Sequence, residues 1–121
     1  MVQLDHLTIY VSNLARSRAW YVATLALKVE FEIPPIKGVS LQDSSGFSLF
    51  IQERPAGEFA PSCMLTFQVD DVESKCRQLA SQGIALEAAP QKLPWGYGAE
   101  LLDPDGYVVR LWDQQSMREK G

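Results

Sequence analysis

His6 is the only histidine in the 121 residues, and its type alone suggests chemistry: a general base, a proton shuttle or a metal ligand. A single histidine excludes any two-histidine metal site. Cys63 and Cys76 lack CxxC or other metal-ligand spacing, and no GxSxG, GxGxxG or GKS/GKT string occurs. Nucleophile-elbow and phosphate-loop chemistry therefore has no support. Both cysteines fall at apolar-patterned positions and read as reduced core thiols. Glu100 is the other acid/base candidate. The Asp103-Pro104-Asp105-Gly106 turn suits a three-residue hairpin loop, a register that sets Glu100 opposite Arg110 on one face. Two roles stand open for that pair: a cross-strand ion pair, or a polar clamp on a ligand carboxylate, phosphate or amide. For His6 the choice lies between an acid/base group and a hydrogen-bonded lining residue beside Thr8 and Tyr10.

The elements that must position these groups come in two copies. Leu7, Thr8 and Val11 recur as Leu65, Thr66 and Val69. Leu41, Asp43, Gly46, Phe47 and Glu53 recur as Leu101, Asp103, Gly106, Tyr107 and Asp113. Such a self-match implies one supersecondary unit used twice. The copies differ where chemistry is concerned, because Met64 stands at the place of His6.

Residues 4–11 alternate as a half-buried strand. Ser12 or Asn13 caps a helix whose stripe is Leu14, Tyr21 and Leu25, ending near residue 27. Strands are expected near 28–33, 38–43 and 47–53. The second copy repeats the order with a strand at 63–69 and a helix capped by Asp70 or Asp71. That helix carries the stripe Val72, Cys76, Leu79 and Ala80 and stops at Gly83. Strands near 84–88, 98–103 and 107–113 follow. The fold class is α+β, two βαβββ modules forming an incomplete barrel with helices outside. Module one spans 1–54, a Pro/Gly linker 55–61, module two 62–114 and a frayed tail 115–121, together one domain by length.

Strand parity separates two kinds of face. Leu7, Ile9 and Val11, with Leu49 and Ile51, suit packing under a helix, as do Leu65, Phe67, Val69, Val109 and Leu111. The opposite faces carry His6, Thr8, Tyr10, Ser48, Phe50 and Gln52 in one copy. In the other they carry Met64, Thr66, Gln68, Val108, Arg110 and Trp112. Uncharged polar groups interleaved with aromatics fit a ligand-cavity lining; a solvent-exposed or dimer-buried face is the other reading.

Bulk properties narrow the partners. At 46% hydrophobic and 21% charged residues the chain is of ordinary globular type. A net charge of −4, with no basic patch, argues against nucleic acid or an anionic membrane surface as partner. No run approaches the ~20 apolar residues of a membrane span, and no signal-peptide pattern opens the chain, so a cytoplasmic location is expected.

The strand beginning LDHLTIYVSNLARSRAWY, the restart MLTFQVDDVESKCRQLASQG and the ending PWGYGAELLDPDGYVVRLWD resemble the vicinal-oxygen-chelate superfamily. That superfamily comprises glyoxalase I, bleomycin-resistance proteins, fosfomycin-resistance enzymes and extradiol dioxygenases. The resemblance covers almost the whole chain and implies the paired βαβββ fold. Its enzymes hold a divalent metal with four inward side chains, two per copy. Transferred by motif, those positions are His6, Phe50, Met64 and Arg110, of which only His6 is a competent ligand. The resemblance thus implies no metal and no cofactor here. Pro94-Trp95-Gly96-Tyr97 resembles the PWG stretch of the bleomycin-resistance branch, whose two-fold dimers enclose drug-holding grooves. A homodimer is expected from this resemblance and from the aromatic excess of Trp20, Phe59, Trp95 and Trp112. The expected function is metal-free binding of a small molecule, aromatic or cationic, lined by His6, Tyr10, Phe50, Gln52, Met64, Trp95, Tyr97, Glu100, Arg110 and Trp112. The competing expectation is a lyase, isomerase or dioxygenase-type enzyme with a non-standard site, using His6 and Glu100. At the end of the first helix, Leu25-Ala26 replaces the family's usual Leu-Gly.

Overall fold

Alternation in the first strand sets the layering of module one. In the computed structural model, which describes residues 1–121, β1 (His6–Val11) buries Ile9 and Val11 and turns His6, Thr8 and Tyr10 outward. Leu7, expected in the core, is 43% exposed because it lies at the open end of the strand. Asn13, not Ser12, caps α1 (Leu14–Leu25), its side-chain oxygen accepting the Arg16 amide at 3.0 Å. The buried stripe of α1 is Ser17, Tyr21 and Thr24, with Leu14 and Leu25 half-buried at its margins. Helical spacing allowed either stripe, and contact with the sheet selected the narrower one.

β2 (Lys28–Ile33), a 3-10 turn at Pro34–Ile36, β3 (Gly38–Gln42) and β4 (Ser48–Glu53) complete the module. The sheet order is β1-β4-β3-β2, with β1 parallel to β4 and the other pairs antiparallel. Leu41 and Ile51 join Val11 and Tyr21 in a core with no exposed surface.

Module two follows the same plan: β5 (Met64–Gln68), α2 (Val72–Ser81), β6 (Ala88–Leu93), β7 (Gly96–Leu102) and β8 (Val108–Trp112), in the order β5-β8-β7-β6. Asp71 caps α2 through the Ser74 amide, and Gly83 (φ 78°) terminates it. Val72, Cys76 and Leu79 are buried as expected, whereas Ala80 is exposed. β6 lies several residues later than expected and contains Pro90. The sheet order makes it an edge strand, where a residue without an amide proton is tolerated, and its register breaks between Ala88 and Gln91.

The tail is not frayed. Asp113 caps α3 (Gln114–Lys120), which packs on β7 with the Met117 sulfur 3.4 Å from the Tyr97 amide. Cys63 also departs from expectation: it is exposed, one residue before β5, and only Cys76 is a core thiol.

The repeat is visible in hydrogen bonds as well as in residue types. Asp43 accepts the amides of Ser45 and Phe47, as Asp103 accepts those of Asp105 and Tyr107. Glu53 accepts the amide of Leu14, the first residue of α1, at 2.9 Å, and Asp113 accepts that of Val72, the first residue of α2, at 2.7 Å. Each module therefore fastens its helix N-terminus to the end of its last strand, satisfying an amide that the helix itself leaves unpaired. No helix is long and apolar enough to cross a membrane.

Candidate functional site

The face of module one away from its helix presents His6, Thr8 and Tyr10 beside Ser48, Phe50 and Gln52, their partners in the parallel register. The Phe50 ring lies over Gly38, where a Cβ would overlap it, so the absent side chain makes room for the aromatic. His6 meets that ring edge-on at 6.3 Å between centroids. Its Nδ1 is 2.9 Å from Asp5 Oδ2. At the other end of β1, Tyr10 stands edge-on to Phe59 with Arg54 over its ring.

Glu30 joins this face by plain alternation from Lys28, which stands opposite Gln42. The register shift between Val29 and Phe31 re-aims the residues that follow it: Phe31 and Ile33 come to this face opposite Ser40 and Gly38, and Glu32 goes to the helix side, where it pairs with Arg18. Glu30 Oε1 accepts from Ser40 Oγ at 2.7 Å and Ser48 Oγ at 3.0 Å, and Oε2 from Gln42 Nε2 at 3.2 Å. Sequence reasoning missed it because no register was set for β2, and the bulge that brings Phe31 and Ile33 to the same face leaves no mark in the apolar alternation.

On the corresponding face of module two, Thr66, Arg110 and Glu100 share one rung and Gln68 and Trp112 the next. Arg110 Nε donates to Glu100 Oε2 at 2.9 Å, and its guanidinium carbon lies 5.2 Å from the centre of the Trp95 ring. Leu93 pairs with Gly96, so Pro94-Trp95 forms the tip of a two-residue turn. The Trp95 ring folds back over Gly98, where a Cβ would collide with it. Gly38 and Gly98 hold matching places in the two modules, each beneath an aromatic ring. Trp95 Nε1 is buried and has no hydrogen-bond partner. Met64 is 55% exposed at the start of β5.

Tyr97 does not share this face. It is buried on the helix side, its hydroxyl donating to Glu73 Oε1 at 2.6 Å. That bond to a carboxylate, with burial second, raises its hydroxyl above the usual tyrosine range. The resemblance placed Tyr97 with Trp95, but Trp95 lies in the turn with its ring folded over Gly98, whereas Tyr97 lies in β7 with its side chain on the helix side. Both thiols are pushed up, Cys76 by its burial in the core and Cys63, though its residue is exposed, by partial desolvation of its sulfur, so neither is set up as a nucleophile.

The residues at the four positions transferred by resemblance, His6, Phe50, Met64 and Arg110, do not fit a divalent metal. Phe50 has no donor atom, the Met64 thioether is a poor partner for hard or borderline ions, and Arg110 is a cation held by Glu100. No group of three or more His, Cys, Asp or Glu side chains comes together elsewhere.

Comparison with known proteins gives a family and a set of structural likenesses. Residues 3–111 match the model of the glyoxalase/bleomycin resistance protein/dioxygenase superfamily. TnmS3, an antibiotic-binding protein from Streptomyces sp. CB03234, shares 26% identity, with 93% of this chain and 96% of that chain covered and a TM-score of 0.77. An integron cassette protein from the mobile metagenome of a Halifax Harbour sewage outfall shares 19%, covering 91% and 97%, at a TM-score of 0.76. Lactoylglutathione lyase from Agrobacterium tumefaciens shares 17%, covering 91% and 92%, at 0.70. Among curated proteins none matches.

Proposed function

Because the chain belongs to the glyoxalase/bleomycin resistance protein/dioxygenase superfamily, and its four metal positions carry one ligand, we propose that it binds a small molecule without metal and without transforming it. The observation that carries this reading is Arg110. The residue at a metal-ligand position is a cation, and it is held by Glu100 and stacked by Trp95. Around these positions each sheet face is aromatic and largely uncharged polar surface, with the Glu30 carboxylate on that of module one, of the kind that holds an aromatic or cationic compound. The likeness to an antibiotic-binding protein supports sequestration of a drug-like molecule.

A thermal-shift panel of metals, glycopeptide drugs, planar aromatic antibiotics and small 2-oxo acids tests this. A ligand present at about 100 times its dissociation constant adds about 2.7 kcal/mol. That gain is expected for a drug-like compound and is lost in Trp95→Ala and Arg110→Ala.

A second reading, a metal-independent lyase or isomerase, is favoured by the 2.9 Å contact of His6 with Asp5, which would orient an imidazole for proton transfer. Turnover of a panel compound, abolished by His6→Ala or Glu100→Gln, would replace the binding reading with this one. Assembly as a homodimer belongs to the same proposal, supported by the exposed apolar side chains Phe31, Ile33, Ile36, Met64 and Leu102. Light scattering at micromolar concentration is expected to return twice 13.5 kDa, and the monomer mass would contradict it.

A further inference from the structure

Glu30 differs from the other carboxylates on strands of the two sheets. Glu100 is paired with Arg110, Glu32 with Arg18 and Glu53 with Lys37, whereas Glu30 has no basic partner. Lys28, opposite Gln42 in the register, makes no ion pair with it. Three neutral groups instead fix both of its oxygens: the hydroxyls of Ser40 and Ser48 and the amide of Gln42. They orient the carboxylate without cancelling its charge. The same rungs carry aromatic surface, with Phe50 opposite Ser40, His6 opposite Ser48, and Phe31, 49% exposed, next along the bulged strand. An oriented, unbalanced carboxylate beside aromatic faces attracts an organic cation. The charge meets the carboxylate, and the ammonium or guanidinium carbons meet the rings.

We infer that Glu30 reads the positive charge of an organic cation bound on the face of module one. The inference rests on the small-molecule-binding reading above and narrows it to aromatic amines and their guanidinium or quaternary counterparts.

The test compares two probes of nearly equal shape, 1-naphthylmethylammonium and 1-naphthalenemethanol, by calorimetric titration at low salt. The wild type is expected to favour the ammonium about tenfold, the scale of one oriented charge contact beside an aromatic ring. Glu30→Gln should abolish the preference while leaving the alcohol's affinity within about twofold. Lys28→Ala provides a second variant that keeps the carboxylate. Removing a nearby like charge should raise the preference for the ammonium about twofold. Equal affinity of both probes for the wild type, or a preference that survives Glu30→Gln, would overturn the inference and leave small-molecule binding standing. Binding of neither probe at millimolar concentration would overturn both. If Glu30→Gln fails to fold by circular dichroism, an unchanged or lowered preference in Lys28→Ala overturns the inference.

Discussion

Arg110 Nε lies 2.9 Å from Glu100 Oε2, and the two side chains are 26% and 24% exposed. In the proposed reading Arg110 stands at a position that the resemblance transfers as a metal ligand, and it is a cation already committed to a neighbour. Protein purified without an affinity tag is therefore expected to carry no stoichiometric Ni, Zn, Mn or Fe by elemental analysis. Metal present at one equivalent and lost in His6→Ala would contradict this. Glu100→Ala should lower stability by roughly 1–3 kcal/mol in urea titrations, because it leaves a half-buried guanidinium without its acceptor.

Asp113 should make stability pH-dependent. Burial works to raise its carboxyl, but the amides of Ser116, Val72 and Gln115 and the Ser116 hydroxyl outweigh it and hold the group below the usual aspartate range. A group depressed in the folded state stabilises the fold above its unfolded value and loses that contribution as pH falls through the folded value. Asp113→Asn is thus expected to lower stability by about 1–2 kcal/mol at neutral pH. The gap to wild type should close in the acid range below the ordinary aspartate value. A gap that is the same at neutral pH and in acid would sink the assignment.

Ala26 ends α1 at φ 56°, a left-handed position that glycine occupies without strain. Ala26→Gly should raise stability by about 1 kcal/mol, since relief of the left-handed strain exceeds the added chain entropy. A lowered melting temperature would show the strain is absent.

Trp95 combines a stacked ring with an orphan indole N–H. Trp95→Phe should leave stability unchanged or slightly raised, because the unsatisfied donor disappears while ring contact remains. Gly98→Ala should destabilise the chain markedly, its Cβ meeting both the Trp95 ring and the Leu111 carbonyl. Equal losses in the two variants would argue against this packing.

Much of the fold was legible because it rests on local pattern. The repeat fixed the two βαβββ units, and the DPDG turn fixed the register that joins Glu100 to Arg110. What escaped depends on neighbours. The β2 bulge that brings Phe31 to the face of Glu30 obeys no sequence rule, and β6 hides behind Pro90, whose presence is acceptable only at an edge. The terminal helix looked like a mixed-charge tail until Asp113 capped it and Met117 packed against β7. Tyr97 was grouped with Trp95 through the PWG stretch, although Trp95 belongs to the turn and folds its ring back over Gly98 on the other side of β7.

The central claim is binding without chemistry, and recovery of the bound molecule tests it most directly. The compound with the largest thermal shift is mixed with the protein, carried through gel filtration, released by denaturation and weighed by mass spectrometry. The account predicts co-migration of the compound at its original mass, lost in Trp95→Ala and Arg110→Ala. A compound recovered with altered mass, in amounts that fall in His6→Ala or Glu100→Gln, would contradict it.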